Sequence, residues 1–167
     1  MATIVVPRAL VEKAKELGVD IESTVVNALV QAVNLDPIEE AEVHLELAEI
    51  YLKEAEAYLK RGDSIQASEK MYKAAEEAIK ALASAYRTPE REKASKDGRW
   101  RAHLLGKAAR RLSAQLNEPR IASTWSRAFD IHTWGFHEAK YSTEDIKGDL
   151  AHIKWIVKYA QEKLQAT

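Results

Sequence analysis

The chain has 167 residues, a formal net charge of −1 and no cysteine. The missing cysteine excludes disulfides, thiolate catalysis and cysteine-ligated zinc, and the small net charge leaves no overall field that would draw the chain to nucleic acid or to a membrane. Its apolar runs are far shorter than the roughly 18 residues of a membrane span, and it starts without the basic and apolar regions of a signal peptide, so we expect a soluble cytoplasmic protein without a membrane partner.

Charged residues are unevenly distributed along the chain. Residues 36–60 hold eight acids and two lysines, whereas residues 87–111 hold nine bases and three acids. The two segments either pair with each other or leave the basic one as a patch for polyanions. Pairing is the commoner outcome for oppositely charged helix faces.

Residues 1–35 predict a small module of their own. A β-prone stretch at residues 3–6 precedes Pro7, apolar residues then recur at helical spacing up to Gly18, and Asp20 or Ser23 can cap a second helix. This pattern fits either a strand-helix-helix module or a helical hairpin. Such a module would dimerise the protein or cap its main body.

The strand-helix-helix alternative resembles the ribbon-helix-helix module of antitoxin-type repressors. That resemblance implies dimerisation through the strand and reading of the major groove by outward polar residues of the strand. Residues 2–6 contain no Lys, Arg, Gln or Asn that could bond base edges. We therefore expect that the module can still dimerise and that it does not bind operator DNA.

Residues 36–167 predict an all-α, up-and-down bundle of about five helices. Cap residues, Pro and Gly mark where each helix starts and stops. The first helix has apolar residues on two sides and is therefore expected to be central, and a charged loop is expected from Thr88 to Gly98. The predicted helices run from Asp36 to about Lys60, from Asp63 to Tyr86, from after Gly98 to Leu116, from Glu118 to Tyr141, and from Ser142 onward.

The third of these helices carries a basic strip. Leu105, Ala109 and Leu112 point inward at helical spacing, which leaves the basic side chains on other faces. Such a strip can bind phosphates or can be an ordinary solvated helix face. The candidate binding residues of this strip are His103, Lys107, Arg110 and Arg111.

The segment Arg127–Glu138 contains the one local pattern with a chemical interpretation, an arginine followed after four residues by a histidine. On an ideal helix His132 lies in an apolar stripe, as a buried histidine would, and Arg127 lies about 140° away from it. The two side chains can meet if Gly135 loosens the turn or if two subunits meet at a twofold axis. Trp134 and His137 are further candidate binding residues of this segment.

Histidine spacing in this segment argues against a metal site. His132 and His137 are five residues apart, whereas ligands on one face of an α-helix are three or four apart. The HExxH pattern is also missing from the sequence. We expect no metal and no cofactor.

Several motifs in residues 36–165 resemble those of the HEPN (higher eukaryotes and prokaryotes nucleotide-binding) superfamily. They are Tyr58-Leu59, Gly62-Asp63, Ala67, Tyr72, Ala75 and Ile79-Lys-Ala-Leu82, followed in that superfamily's order by His103-Leu-Leu and Arg127-x4-His132. More narrowly, Ile131-His-Thr-Trp-Gly-Phe-His-Glu138 is similar to the archaeal PaREP families.

The resemblance to HEPN proteins implies a helical bundle that is usually a homodimer. It also implies a role for two residues in metal-independent RNA cleavage, with Arg127 stabilising the phosphorane and His132 acting as general acid or base. Active members often carry Asn, Asp or His directly after the arginine, where this chain has Ala128. Two functions therefore stay open: a dimeric, non-catalytic interaction or scaffold module, and an RNA-binding protein or ribonuclease of toxin or defence type.

Overall fold

A computed structural model describes residues 2–167 of the protein, and all regular elements among them are helical. The all-α prediction is therefore confirmed. The first compact unit of the chain ends at Leu35, and the second comprises Asp36–Thr167. Within the described residues, no helix is both long and apolar enough to cross a membrane.

The N-terminal unit is a pair of helices, α1 (Arg8–Glu16) and α2 (Ile21–Val33). The Asp20 side chain caps α2 by accepting a hydrogen bond from the backbone N–H of Ser23, as predicted. The strand predicted at residues 3–6 is absent, because these residues have no regular conformation. A lone extended segment has no second strand to bond within a single chain, and the helical hairpin is what the structure contains.

Neither helix of the N-terminal unit buries a single residue. Large apolar side chains are instead exposed, with Val5 at 93% and Leu17 at 67% of full accessibility. Water therefore reaches the side chains that would form the core of this unit. The exposed large apolar residues of the unit are Ile4, Val5, Leu10, Leu17, Val19, Leu29 and Val33.

The second unit contains more helical elements than predicted, since the sequence indicated about five helices. A helix replaces most of the loop predicted at residues 88–98, because Thr88 caps it, Pro89 occupies its first turn and Gly98 ends it with φ of 73°. The elements are α3 (Pro37–Lys60), α4 (Ser64–Ala85), α5 (Pro89–Asp97), α6 (Ala102–Gln115), α7 (Arg120–Asp130), a π-helical segment (Ile131–His137, the π segment), α8 (Thr143–Ile146), a 3₁₀ helix (Lys147–Asp149) and α9 (Leu150–Gln165).

Helix α4 holds the central place that the sequence predicted for α3. It packs against α3, α6, α7, the π segment and α9, and Met71, Ile79 and Leu82 along its length are completely buried. The leucines of α3 at positions 45, 52 and 59 are only partly buried against this core. Helix α4 is therefore the helix against which these neighbours pack.

Helices α3 and α4 pack closely through two rows of alanine. Each row repeats every seven residues, a spacing that keeps side chains on one side of a helix. Small side chains allow two helix axes to approach closely. The rows are Ala41, Ala48 and Ala55 on α3 and Ala67, Ala74 and Ala81 on α4, all at 0% exposure.

A chain of buried charges joins α3 to α4. His44 Nδ1 lies 2.6 Å from Glu77 Oε2, and the ammonium of Lys80 lies 2.7 Å from Glu77 Oε1 and 2.7 Å from Glu76 Oε1. His44, Glu77 and Lys80 are almost completely inaccessible to water. A buried charge without a partner strongly destabilises the folded state, so each of these three side chains depends on the ion pairs with the others.

The same chain of charges continues to α5 at its other end. Glu40 Oε1 lies 3.8 Å from His44 Nε2, and Glu40 Oε2 accepts a hydrogen bond of 3.0 Å from Arg91 Nε and a shorter one from the same guanidinium. Arg91 belongs to the basic segment of the sequence and Glu40 to the acidic one. These two segments therefore pair at this point.

The pKa values of the buried groups favour their charged forms. Burial would raise the pKa of Glu40, but His44 and Arg91 lower it to about 2. Burial would also raise the pKa of Glu77, but the charge of Lys80 and the bond to His44 lower it to about 2. Burial would lower the pKa of His44, yet the carboxylates of Glu40 and Glu77 raise it.

Gly135 lies where the π segment touches α4. A Cβ atom added at Gly135 would lie 2.2 Å from Ser68 Oγ and 2.8 Å from Ser68 Cβ. Both distances are shorter than non-bonded contact allows, and Ser68 is itself completely buried. Glycine is therefore required for the π segment to approach α4 this closely.

The buried charges predict a stability maximum at mildly acidic pH. Glu40 and Glu77 have folded pKa values below their usual 4.5, so their contribution is lost as the pH falls from 4.5 towards 2, at a cost on the order of 3 kcal/mol for each group. His44 has a folded pKa above its usual 6.5, so its contribution declines as the pH rises beyond 6.5. Urea denaturation at a series of pH values measures both effects.

The variant His44→Gln separates this histidine from the other titrating groups. We expect the difference in unfolding free energy between wild type and variant to shrink above pH 6.5. A difference that stays constant with pH would show that His44 is not charged in the folded protein.

Gly135→Ala should destabilise the protein by about 1–3 kcal/mol, because the new methyl group forces Ser68 and the π segment apart. Gly148→Ala is the matched control, since a Cβ at Gly148 meets nothing within 4 Å. Thermal or urea unfolding measures both variants. In a Ser68→Gly background the penalty of Gly135→Ala should be smaller, and an unchanged penalty would contradict the contact.

Candidate functional site

The π segment brings together two histidines that an α-helix would keep apart. Its turn is wide, as shown by the bond from the Glu138 backbone N–H to the Thr133 carbonyl oxygen, five residues earlier. Residues five apart therefore lie one above the other, and His132 Nε2 lies 2.9 Å from His137 Nε2. The expectation that this spacing separates the two imidazoles holds for an α-helix and is wrong here. π-Helical turns are frequent at functional sites.

Glu69 of α4 orients His132 from the other side. Its Oε2 atom lies 3.0 Å from His132 Nδ1, and both side chains are mostly buried. The ring of Tyr72 stacks on the imidazole of His132 with centroids 3.9 Å apart and planes 21° apart, and Phe136 stacks at 5.7 Å. His132 is therefore held by a carboxylate and two aromatic rings.

The hydrogen bonds determine how a neutral His132 carries its proton. An ionised carboxylate only accepts hydrogen bonds, so Nδ1 of His132 must donate to Glu69. Nε2 of a neutral His132 then has a lone pair, which accepts the N–H of His137 Nε2. A carboxylate-oriented imidazole of this kind can take or give a proton at Nε2.

Tyr72 connects this site to the buried charges of α4. Burial of its ring and the carboxylates of Glu76 and Glu69 raise the pKa of its hydroxyl. Glu76 also binds Lys80. One helix therefore carries both the buried charges and the side chains that hold His132.

Arg127 lies apart from His132 in this chain. Its side chain is half exposed, and Nη1 donates a hydrogen bond of 2.7 Å to Oδ1 of Asp149, directly before α9. Arg127 belongs to the regular α7, and the wide turn begins only at Ile131, so the π segment does not carry Arg127 towards His132. The two predicted catalytic residues therefore bind different partners: His132 binds Glu69 of α4, and Arg127 binds Asp149 at the start of α9.

The predicted basic strip lies on the surface of α6, and its four residues are exposed. Arg111 is paired with the buried carboxylate of Glu90, at 2.9 Å, and Arg110 donates to the Gly106 carbonyl oxygen at 2.9 Å. Half of the strip is therefore engaged within the protein, while His103 and Lys107 face solvent.

Two exposed aromatic side chains lie close in sequence to the histidine pair, and one of them, Phe129, has its ring centroid 6.5 Å from that of His132. Trp134 is 46% exposed and Phe129 is 44% exposed, and His137 is also on the surface. Sequence reasoning identified Trp134 and His137 as site residues but not Glu69 or Tyr72, of which Tyr72 entered only through the resemblance to HEPN proteins. No local signal could have identified those two, because they precede His132 by 63 and 60 residues and meet it only in the folded protein.

Comparisons with known proteins identify relatives of the second unit. The model of the archaeal PaREP1/PaREP8 family matches residues 43–157. The crystal structure of a Sulfolobus solfataricus protein is similar to this chain, with 36% sequence identity and a TM-score of 0.63 over 71% of this chain and 96% of that chain. The solution structure of the same structural-genomics target gives 36% identity and a TM-score of 0.64 over 71% and 92% of the two chains.

No curated protein matches the chain. The family model nevertheless spans more than half of the 167 residues, from within α3 to within α9. It includes the π segment and the side chains of α4 that hold His132. The resemblance of residues 131–138 to the archaeal PaREP families is thus confirmed, and the protein belongs to the archaeal PaREP1/PaREP8 family.

Proposed function

We propose that this protein is a homodimeric, non-catalytic interaction module, and that its N-terminal unit joins the two copies. The observation that carries this proposal is that α1 and α2 bury none of their residues and expose large apolar side chains. A soluble chain rarely leaves so many apolar residues uncovered unless another surface covers them.

Size supports the same interpretation. A unit of about 35 residues buries too little surface to be stable without disulfides, a metal or oligomerisation. The chain has no cysteine, and the described residues contain no cluster of three or more metal-binding side chains. Oligomerisation is the third of these stabilising devices, and we infer that the unit uses it.

Charge favours a second copy as the partner of this unit. Residues 1–35 hold three bases and four acids, so two copies of the unit do not repel each other strongly. The resemblance to HEPN proteins, which are usually homodimers, points the same way. A HEPN-like bundle in residues 36–165 is part of this proposal.

Replacing two exposed leucines of the N-terminal unit, Leu10→Glu and Leu29→Glu, should convert the dimer into a monomer. Each leucine buried at an interface contributes about 1.5–3 kcal/mol, so the double variant should weaken dimerisation by at least about 100-fold. Light scattering during gel filtration and sedimentation equilibrium measure the mass. Lys15→Ala, an exposed change in the same unit, is the control and should stay dimeric.

Wild-type protein that is monomeric at high concentration contradicts the dimer. If the double variant dimerises as tightly as wild type, the protein is a dimer but the N-terminal unit is not its interface. The two results therefore separate the oligomeric state from the surface that produces it.

A second function, metal-independent RNA cleavage, is favoured by one observation, the carboxylate-oriented imidazole of His132. In this alternative His132 acts as general acid or base, and Arg127 stabilises the transition state after a dimer contact brings the two residues together. The resemblance to active HEPN proteins supports it. The bond of Arg127 to Asp149 within the chain makes it the weaker of the two proposals.

Incubation of the purified protein with single-stranded RNA in EDTA distinguishes the two functions. The interaction-module proposal expects intact RNA, and His132→Gln should then only lower the unfolding free energy, by about 1–3 kcal/mol. A nuclease should cleave the RNA, and His132→Gln should reduce the rate by about 10²–10⁴-fold. Lys53→Gln, an exposed change on α3, should leave both readouts unchanged.

A further inference from the structure

A second cluster of cationic side chains lies between α7 and α9, away from His132. Arg120 and Arg127 are seven residues apart on α7 and therefore lie on nearly the same face of that helix. Arg120 Nη2 lies 3.4 Å from Nδ1 of His152 on α9, and the charges of both arginines act on His152. The guanidinium of Arg120 thus contacts this imidazole, and Arg127 is bound to Asp149, which lies three residues before His152 and directly before α9. We call Arg120, Arg127 and His152 the α7–α9 cluster.

Only one of the two arginines has an acidic partner. Arg127 is bound to Asp149 at 2.7 Å. The guanidinium of Arg120 forms no ion pair within residues 2–167; it lies 4.5 Å above the ring of Trp155 and touches His152. Glu118 accepts a hydrogen bond from the backbone N–H of Arg120, at 3.1 Å, and so caps the start of α7.

His152 adds a neutral hydrogen-bonding group to these cations. Partial burial and the charges of Arg127 and Arg120 lower the pKa of His152, while Asp149 opposes them. A neutral imidazole still carries one N–H donor. Asp149 and Glu118 are the carboxylates beside the two guanidinium groups; Asp149 is bound to the Arg127 side chain and Glu118 to the Arg120 backbone. The guanidinium of Arg120 is therefore the cation with which an added anion would pair.

The chemistry of the cluster matches a phosphate group. A guanidinium presents a planar fork of N–H donors that fits two oxygens of a phosphate, and the arginine that stacks on an aromatic ring has its fork held in place. Trp155 is itself stacked on Tyr159, with centroids 5.1 Å apart, which fixes the ring beneath Arg120. The N–H donors of the Arg120 guanidinium are therefore held in place before a ligand binds.

We propose that the α7–α9 cluster binds the phosphate group of a phosphorylated small molecule, with Arg120 as the principal donor and His152 and Arg127 beside it. This site is independent of the proposed dimer, because all of its groups come from one chain. It is also distinct from the histidine pair of the π segment. Asp149 limits the affinity, because it occupies Arg127.

Nuclear magnetic resonance of the ¹⁵N-labelled full chain tests the site. Inorganic phosphate is added at constant ionic strength, and the side-chain N–H signals of Arg120 and Trp155 are followed after assignment with Arg120→Gln and Trp155→Phe. We expect a saturable shift of both signals. Arg120→Gln should weaken phosphate binding at least about tenfold, the effect of losing a charge-assisted hydrogen-bond donor.

Two further variants separate binding from a merely structural role. Asp149→Asn removes the competing carboxylate and should tighten phosphate binding severalfold, a gain that damage to the fold would not produce. Lys158→Gln removes one exposed cation from the same helix and should leave the affinity within about twofold. Thermal unfolding confirms that each variant is folded.

A second arm of the experiment identifies the source of the phosphate group. AMP binding more tightly than inorganic phosphate, with adenosine not binding, assigns the site to a nucleotide, and equal affinities assign it to the phosphate group alone. The proposal is overturned if wild-type signals change without saturation, if Arg120→Gln binds as tightly as wild type, or if adenosine matches AMP. The monomeric Leu10→Glu, Leu29→Glu variant should bind phosphate like wild type, so failure of the dimer and failure of this site are separate results.

Discussion

The buried ion pairs of α4 are the constraint on which the second unit depends. Lys80 and Glu77 are buried and form an ion pair with each other. His44 also pairs with Glu77, and Glu76 with Lys80. A buried charge that loses its partner is strongly destabilising, so these pairs tolerate little sliding of α3 along α4. The alanine rows permit the close approach of the two helices, and the ion pairs select one register from those that alanine alone would allow.

The same helix holds the candidate site. Glu69 and Tyr72 lie on α4, within three turns of the buried Lys80, and they contact His132 from a rigid position. The π segment reaches them because Gly135 has no side chain where it meets Ser68. A wide turn has poorer packing than an α-helix, and such turns are retained where they place side chains that a regular helix cannot. Here the side chains are His132 and His137.

The two residues of the Arg-x4-His pattern belong to different surroundings. His132 is held between α4 and the π segment, while Arg127 joins Asp149 and lies near His152. Arg127 therefore belongs to the α7–α9 cluster, whereas the imidazole pair lies in the π segment. This separation supports an interaction module over a nuclease within one chain, and it leaves the exposed apolar residues of the N-terminal unit as the feature that most needs a partner.

Sequence patterns alone determined the helical class and several helix caps, because these depend on neighbours along the chain. Only the tertiary structure decided which helix is central, how His132 is oriented and where Arg127 bonds. The apolar residues on two sides of α3 predicted that α3 is central, whereas the close packing of α3 on α4 depends on alanines, which carry no strong sequence signal. The five-residue spacing of His132 and His137 argued against contact, since that inference assumes an α-helical turn. The segment instead forms a π-helical turn, with Gly135 at its contact with α4.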